Sequence, residues 1–135
     1  MTTEQELLVQ EYAKNPLCNY KMEEYTITSH EGNFICGDDI NIYLVLEDNV
    51  IKKYSFDGDC SNITTAAASF LSEFITGQKI EDVLNWNFKL FIDKGFDVSK
   101  KRRRAMVIGL MAVRNAIHNY LNDGKKDNFD DLLEE

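Results

Sequence analysis

The segment Asp38–Gly58, "DDINIYLVLEDNVIKKYSFDG", decides the fold. Ile40, Ile42, Leu44 and Leu46 alternate with Asn41, Tyr43, Val45 and Glu47, a period of two that suits an extended strand with one buried face. "EDN" makes a turn, and "VIKKYSFDG" returns as the next strand. Upstream, "EYTITS" has the composition of another strand, so antiparallel strands occupy about residues 24–57.

Working outward, the period changes after Asn62. Ile63, Ala66, Ala67, Phe70, Leu71 and Phe74 fall on one helical face, with Gly77 as its C-terminal stop. Ile80, Val83 and Leu84 suggest a short helix, and "NWNFKLFID" another, closed by Gly95. A long helix is expected from Ser99 to Leu121, where Met106, Leu110, Val113, Ile117 and Tyr120 are spaced by four, three, four and three. Before the strands, residues 3–13 read as a helix broken by "KNPLCN", because proline cannot continue a helix and restricts the residue before it. The Ala66–Ala68 run permits close helix packing, and Trp86 and the nearby phenylalanines belong in the core. The reading is one α+β domain over residues 1–135: a three-stranded antiparallel sheet covered on one face by helices, with a frayed acidic tail at 123–135.

The totals exclude several function classes. Fifteen bases against 23 acids give a net charge of −8, which disfavours nonspecific binding to nucleic acid or anionic membranes. No stretch is apolar for the ~18 residues a membrane span needs. The start "MTTEQELLVQEY" has neither the basic nor the apolar region of a signal peptide. Three cysteines, an odd number, fit a reducing cytoplasm and metal-binding or reactive thiols rather than a disulfide frame.

Cys36 is expected in the loop feeding the second strand, and Cys60 immediately after the third strand and before a helix. Cys60 follows Cys36 by 24 residues, enough for two strands and a turn, so the hairpin can return one thiol to the other. Asp38, Asp39, Asp57 and Asp59 raise the thiol pKa unless a cation is bound. The pair is therefore a poor nucleophile and a credible cation site.

"CGDDINIYLVLEDNVIKKYSFDGDCSNITTAAASFLSEFITGQKIEDVL" resembles the U-type iron–sulfur cluster scaffolds, the IscU/NifU N-terminal family. Cys-Gly-Asp before a strand carries the likeness, with "VIKKYSFDG-D-C" at a strand end and a Thr/Ala/Ser-rich helix ending in "TGQKIEDVL". Asn15-Pro16 and the ending "AVRNAIHNYL" extend it over roughly residues 10–121. The resemblance implies a scaffold or carrier, not an enzyme, that holds a labile [2Fe–2S] cluster or iron on Cys36, Asp38 and Cys60. Implied partners are a cysteine desulfurase as sulfur source and recipient iron–sulfur apoproteins.

The chain departs from the family pattern where a His-Cys pair is expected, since Arg104-Ala105 stands there. "GFDVSKKRR" also replaces the family's proline-containing chaperone motif. His30 or Cys18 could supply the missing ligand, whereas His118 lies about 20 Å from Ala105 along the same helix, too far to do so. A second chain sharing a cluster across a homodimer, or an exogenous thiol, are the other sources. Two alternatives stand beside this reading: a zinc-bound sulfur acceptor for a desulfurase, and a metal-free interaction or regulatory module that keeps the fold. The plainer readings are a loop thiol for Cys18, and surface or packing roles for both histidines. Lys100–Arg104 reads as a solvated helix start, or as a basic run that turns Arg102 or Arg104 toward Asp38 or docks an acidic partner.

Overall fold

A computed structural model describes residues 3–33 and 37–134. The hairpin forms where the alternation puts it. Strands β2 (Asp38–Glu47) and β3 (Val50–Asp59) pair antiparallel, and Ile40, Ile42, Leu44 and Leu46 face the core. Asp48 and Asn49 make the connection with φ of 54° and 60°. Two left-handed residues twist the turn in the sense of the strands, and Asp and Asn tolerate that region better than most.

Strand β1 (Ile27–Asn33) completes a sheet of order β1-β2-β3, starting later than "EYTITS" suggested. Its apolar alternation is missing because Ser29, Glu31 and Asn33 point inward as polar residues. Glu31 accepts a hydrogen bond from Asn115 Nδ2 at 2.8 Å, which replaces an apolar contact.

Gly58 closes the far end of the hairpin. Its φ is +128°, and a Cβ there would lie 2.1 Å from the carbonyl oxygen of Asp39. That close approach carries the β2–β3 ladder to its last rung, Asp39 opposite Asp59.

The helices lie on the inward face of the sheet. Helix α2 (Asn62–Ile75) starts at Ser61, whose side chain accepts from Thr64 N. The expected close packing is present: Ala66, Ala67 and Ala68 are buried, and Gly109 lies where a Cβ would sit 3.5 Å from that of Ala68. Helix α1 (Thr3–Lys14) packs outside α2, with Tyr12 edge-on to Phe70 at 5.2 Å. Helix α3 (Ile80–Val83) is one turn. Helix α4 (Phe88–Asp93) is shorter than the expected 85–93 because Asn87 caps it, accepting from Lys89 N. Phe70, Phe88, Phe91 and Phe96 are buried, and Trp86 stacks at the edge of this group against Phe74.

Helix α5 (Arg103–Leu121) follows a 3-10 turn at Lys100–Arg102. Every residue from Ala105 to Val113 is buried, so α5 is wrapped by the sheet, α2 and the C-terminal segment rather than presenting one apolar stripe.

The tail expected to fray is instead held in place. Helix α6 (Phe129–Leu133) has a capping box between Asn128 and Asp131, and Leu132 is fully buried. Asp127 gathers the contacts: Arg114 meets it through Nε at 2.9 Å and a second nitrogen at 3.0 Å, and His118 Nε2 lies 3.0 Å away. The other ring nitrogen of His118 is 2.7 Å from Asp123, whose pKa is lowered chiefly by that hydrogen bond. Two acids of this tail, Asp123 and Asp127, therefore pair with inward-facing groups of α5, while Asp130, Asp131 and Glu134 stay exposed.

Two measurements test these assignments. In urea, Gly58→Ala should cost about 3 kcal/mol through clash and strain, against about 1 kcal/mol for Gly77→Ala. Gly77 has a φ of +90° but open space around it. Equal costs would contradict the close approach at Gly58. Asp127→Ala should cost about 3 kcal/mol, because it leaves the Arg114 guanidinium buried without its partner. A change below about 0.5 kcal/mol, the range of ordinary surface substitutions, would mean that the tail is not docked.

Candidate functional site

Strand alternation sends the neighbours Asp38 and Asp39 to opposite faces. Asp38 turns inward and is 4% exposed. Its Oδ1 accepts the backbone N–H of Ser61 at 2.6 Å, one of the amides that the start of α2 leaves free. Its Oδ2 is buried with no hydrogen-bond partner among the described residues. A carboxylate oxygen in that position is costly unless something meets it.

Cys60 stands between β3 and the Ser61 cap, so two of the three residues singled out in the sequence come together at one sheet end. Its thiol points to the Asp39 carbonyl oxygen at 3.5 Å. Burial pushes its pKa up to about 12, helped by Asp38, Asp39, Asp59 and Asp57 in that order. At neutral pH the metal-free thiol keeps its proton. Cys36, the third residue of the set, lies outside the described residues.

The proposed substitutes do not join this pair. His30 faces Asn41 across the β1–β2 ladder and contacts Asp39 through Nε2 on the outer face, away from Asp38. Cys18 packs against the core in a strap, where its carbonyl accepts Phe56 N–H at 3.0 Å. His118 is buried in the tail contacts. Among the described residues, no three of His, Cys, Asp and Glu converge to hold a metal ion.

Ala105 is buried, and its carbonyl accepts the hydroxyl of Thr64 at 3.2 Å, which ties the start of α5 to the start of α2. Arg104 stacks over Phe129 at 5.0 Å and so turns toward α6 rather than Asp38. Arg102 stays at the site's edge, on the wall of a cavity shared with Ser61 and Ala105.

Sequence reasoning missed the outer-face network, in which Asp57 Oδ1 accepts from Asn41 Nδ2 and the Tyr43 hydroxyl, each at 3.0 Å. The signal was available, since Asn41, Tyr43 and Asp57 share the polar side of the period-two pattern. Burial and Asp57 push the Tyr43 pKa up to about 12.

The fold and the mouth of the sheet define an α+β protein with a carboxylate and a thiol at the joint between strand and helix. A family model described as the NifU-like N terminal domain matches residues 4–127, and the chain belongs to that family. The chain is similar to the iron-sulfur cluster assembly scaffold protein IscU of Thermotoga maritima, 33% identical over 75 residues, covering 56% of this chain and 53% of that protein. It is also similar to the zinc-dependent sulfurtransferase SufU of Bacillus subtilis, 29% identical over 86 residues, covering 64% of this chain and 57% of the relative. The matched region thus spans little more than half the length of either relative. The N-terminal NifU-like protein of Brucella abortus shares the fold, with a TM-score of 0.70 at 14% identity over 87% of this chain and 94% of that one. Among the described residues, no helix is long and apolar enough to cross a membrane.

The raised thiol pKa gives a test on metal-free protein. Alkylation of Cys60 by iodoacetamide, located by peptide mapping, should stay slow and nearly flat from about pH 7 to about pH 9, whereas an ordinary thiol accelerates near pH ~8.5. The sign for stability follows. Between pH 9 and about 12 the unfolded chain gives up a proton that folded Cys60 keeps, so stability falls as pH rises through that window. Cys60→Ser should remove that component; an unchanged alkaline slope would contradict the assignment.

Proposed function

We propose that this chain is an iron–sulfur cluster assembly scaffold or carrier, which holds a labile [2Fe–2S] cluster or iron through Cys36, Asp38 and Cys60. The cluster is cargo, and no substrate bond is turned over. The observation that carries the reading is the buried oxygen of Asp38, unpartnered among the described residues, beside a thiol that burial, aided by four aspartates, keeps protonated. Both groups are unfavourable as they stand, and both are relieved by one cation. Family membership and the scaffold named among the relatives support the same chemistry.

Within this reading each residue has a distinct part. Cys60 supplies a thiolate once a metal displaces its proton. Asp38 supplies an oxygen from a position locked by Ser61 N–H; a carboxylate is a weaker ligand for cluster iron than a thiolate, which suits release. Cys36, two positions ahead of β2 in the sequence, would bring the second thiolate. A cysteine desulfurase would deliver sulfur, and cytoplasmic apoproteins would receive the product. The SufU relative supports a second reading, a zinc-bound sulfur acceptor, which requires a firmer ligand set than Asp38 and Cys60 provide among the described residues.

Anaerobic isolation followed by iron, zinc and acid-labile sulfide analysis tests the proposal. About equal iron and sulfide, with visible charge-transfer bands that disappear in Cys60→Ser, is the expected result. Asp38→Cys should lengthen the life of the bound cluster and slow its transfer to an apo-ferredoxin. Zinc without sulfide would favour the sulfur acceptor. No metal after reconstitution with iron, sulfide and a desulfurase would leave a metal-free interaction module.

A further inference from the structure

Strand β1 leaves one edge of the sheet open. It pairs with β2, and among the described residues no other segment hydrogen-bonds to the backbone of residues 27–31. The opposite edge, along β3, is covered by bridges from Asn19 to Phe56 and from Lys79 to Val50. A groove of about 300 Å³ runs along the open edge. Residues 28–31 form one side of it, and they alternate between the two faces of the sheet, so the groove meets the edge of the strand rather than either face. Asn115 and Asn119 of α5, with Lys125 and Lys126 of the loop that follows, form the other side. The nearby acids are engaged: Glu31 accepts from Asn115, His30 contacts Asp39, and Asp123 and Asp127 meet His118 and Arg114. Lys125 and Lys126 are exposed, and neither ammonium makes a hydrogen bond or ion pair with a described residue.

Unpaired amides and carbonyls on a strand edge are a template for another strand. A second copy is one occupant, pairing β1 with β1. A twofold axis through residues 28–31 would bring both copies' Lys125 and Lys126 to one groove, and their repulsion opposes that pairing. The same charges favour a strand that carries acids. We propose that the open edge of β1 binds an extended acidic segment of a partner protein by strand addition. Main-chain hydrogen bonds to residues 27–31 hold the segment. Side chains two positions apart share the face turned toward α5, so acids at that spacing meet Lys125 and Lys126. Asn33 stands opposite Asp38, so the groove leads to the sheet end that carries Asp38 and Cys60. The bound segment lies beside that end whether or not metal is held there.

Amide NMR on the full, isotope-labelled chain provides the test, with the capped peptide Thr-Val-Asp-Val-Asp-Val-Thr as the probe. Two controls accompany it: the same peptide with every backbone nitrogen methylated, and one with lysine in place of aspartate. The acidic peptide should shift the amides of residues 27–31 and slow their exchange with solvent, while both controls bind about tenfold more weakly or worse. Lys125→Glu combined with Lys126→Glu should make the lysine peptide the better ligand, and the corresponding pair of arginine substitutions should preserve the original order. Cys60→Ser should leave every one of these readouts unchanged, which separates this inference from the metal-holding reading. Equal binding of the methylated peptide would reduce the groove to surface charge and overturn strand addition. Shifts located away from β1, or binding indifferent to the glutamate pair, would also overturn the proposal. Protection of β1 that appears without peptide and grows with protein concentration would give the edge to a second copy instead. No shift at millimolar acidic peptide would overturn the proposal outright.

Discussion

At Gly58 the backbone of β3 lies so close to the Asp39 carbonyl that no side chain fits between them. This contact lets the hairpin stay paired to Asp39 and Asp59, and it fixes the relation of Asp38 to the residues that follow β3. Asp38 can then reach the Ser61 amide, and the sheet is joined to α2 by a hydrogen bond to a charged acceptor. A single amide does not replace the hydration that a buried carboxylate loses, and the second oxygen has no partner among the described residues. The strand end thus holds a charge at a cost, in a position set by backbone geometry rather than by side-chain packing.

Much of this was legible in sequence because it depends on period. The alternation from Ile40 to Leu46 gave β2 its inward face, and the same parity separates Asp38 from Asp39. The helical spacing after Asn62 located α2, and Cys60 fell at the strand–helix junction as expected. The rest was hidden where polar residues do the work of apolar ones. β1 carries Ser29, Glu31 and Asn33 inward, so its pattern has no apolar signal. The acidic tail reads as frayed because composition does not reveal that Arg114 and His118 face Asp123 and Asp127. His30 illustrates a different limit: nearness in sequence to Cys36 made it a plausible ligand, and strand parity turned it to the other face.

Helix α5 is constrained at both ends by unlike means. At its start, Thr64 binds the Ala105 carbonyl and Arg102 borders the cavity. About three turns later, Arg114, Asn115 and His118 are tied to Asp127, Glu31 and Asp123. With its middle buried on all sides, the helix has little freedom to slide, so the tail contributes to the registry of the site without touching it. Basic residues at the α5 start oppose the helix dipole. Arg103 and Arg104 lie over Phe88 and Phe129, where aromatic faces partly offset that cost.

The placement of charge around Cys60 also gives the molecule a polarity. The outer sheet face carries Asp39, Asp57 and Asp59, while Arg102 stands exposed on the cavity wall beside Ser61, with Lys100 and Lys101 exposed just ahead of it in the chain. An approaching ion therefore meets a gradient, attracted at one rim and repelled at the other, before any contact is made. Because this field acts over about 8 Å at physiological salt, it bears on the orientation of an encounter more than on the strength of the final contact. The opening works as a compass for whatever arrives, and added salt would blur its needle.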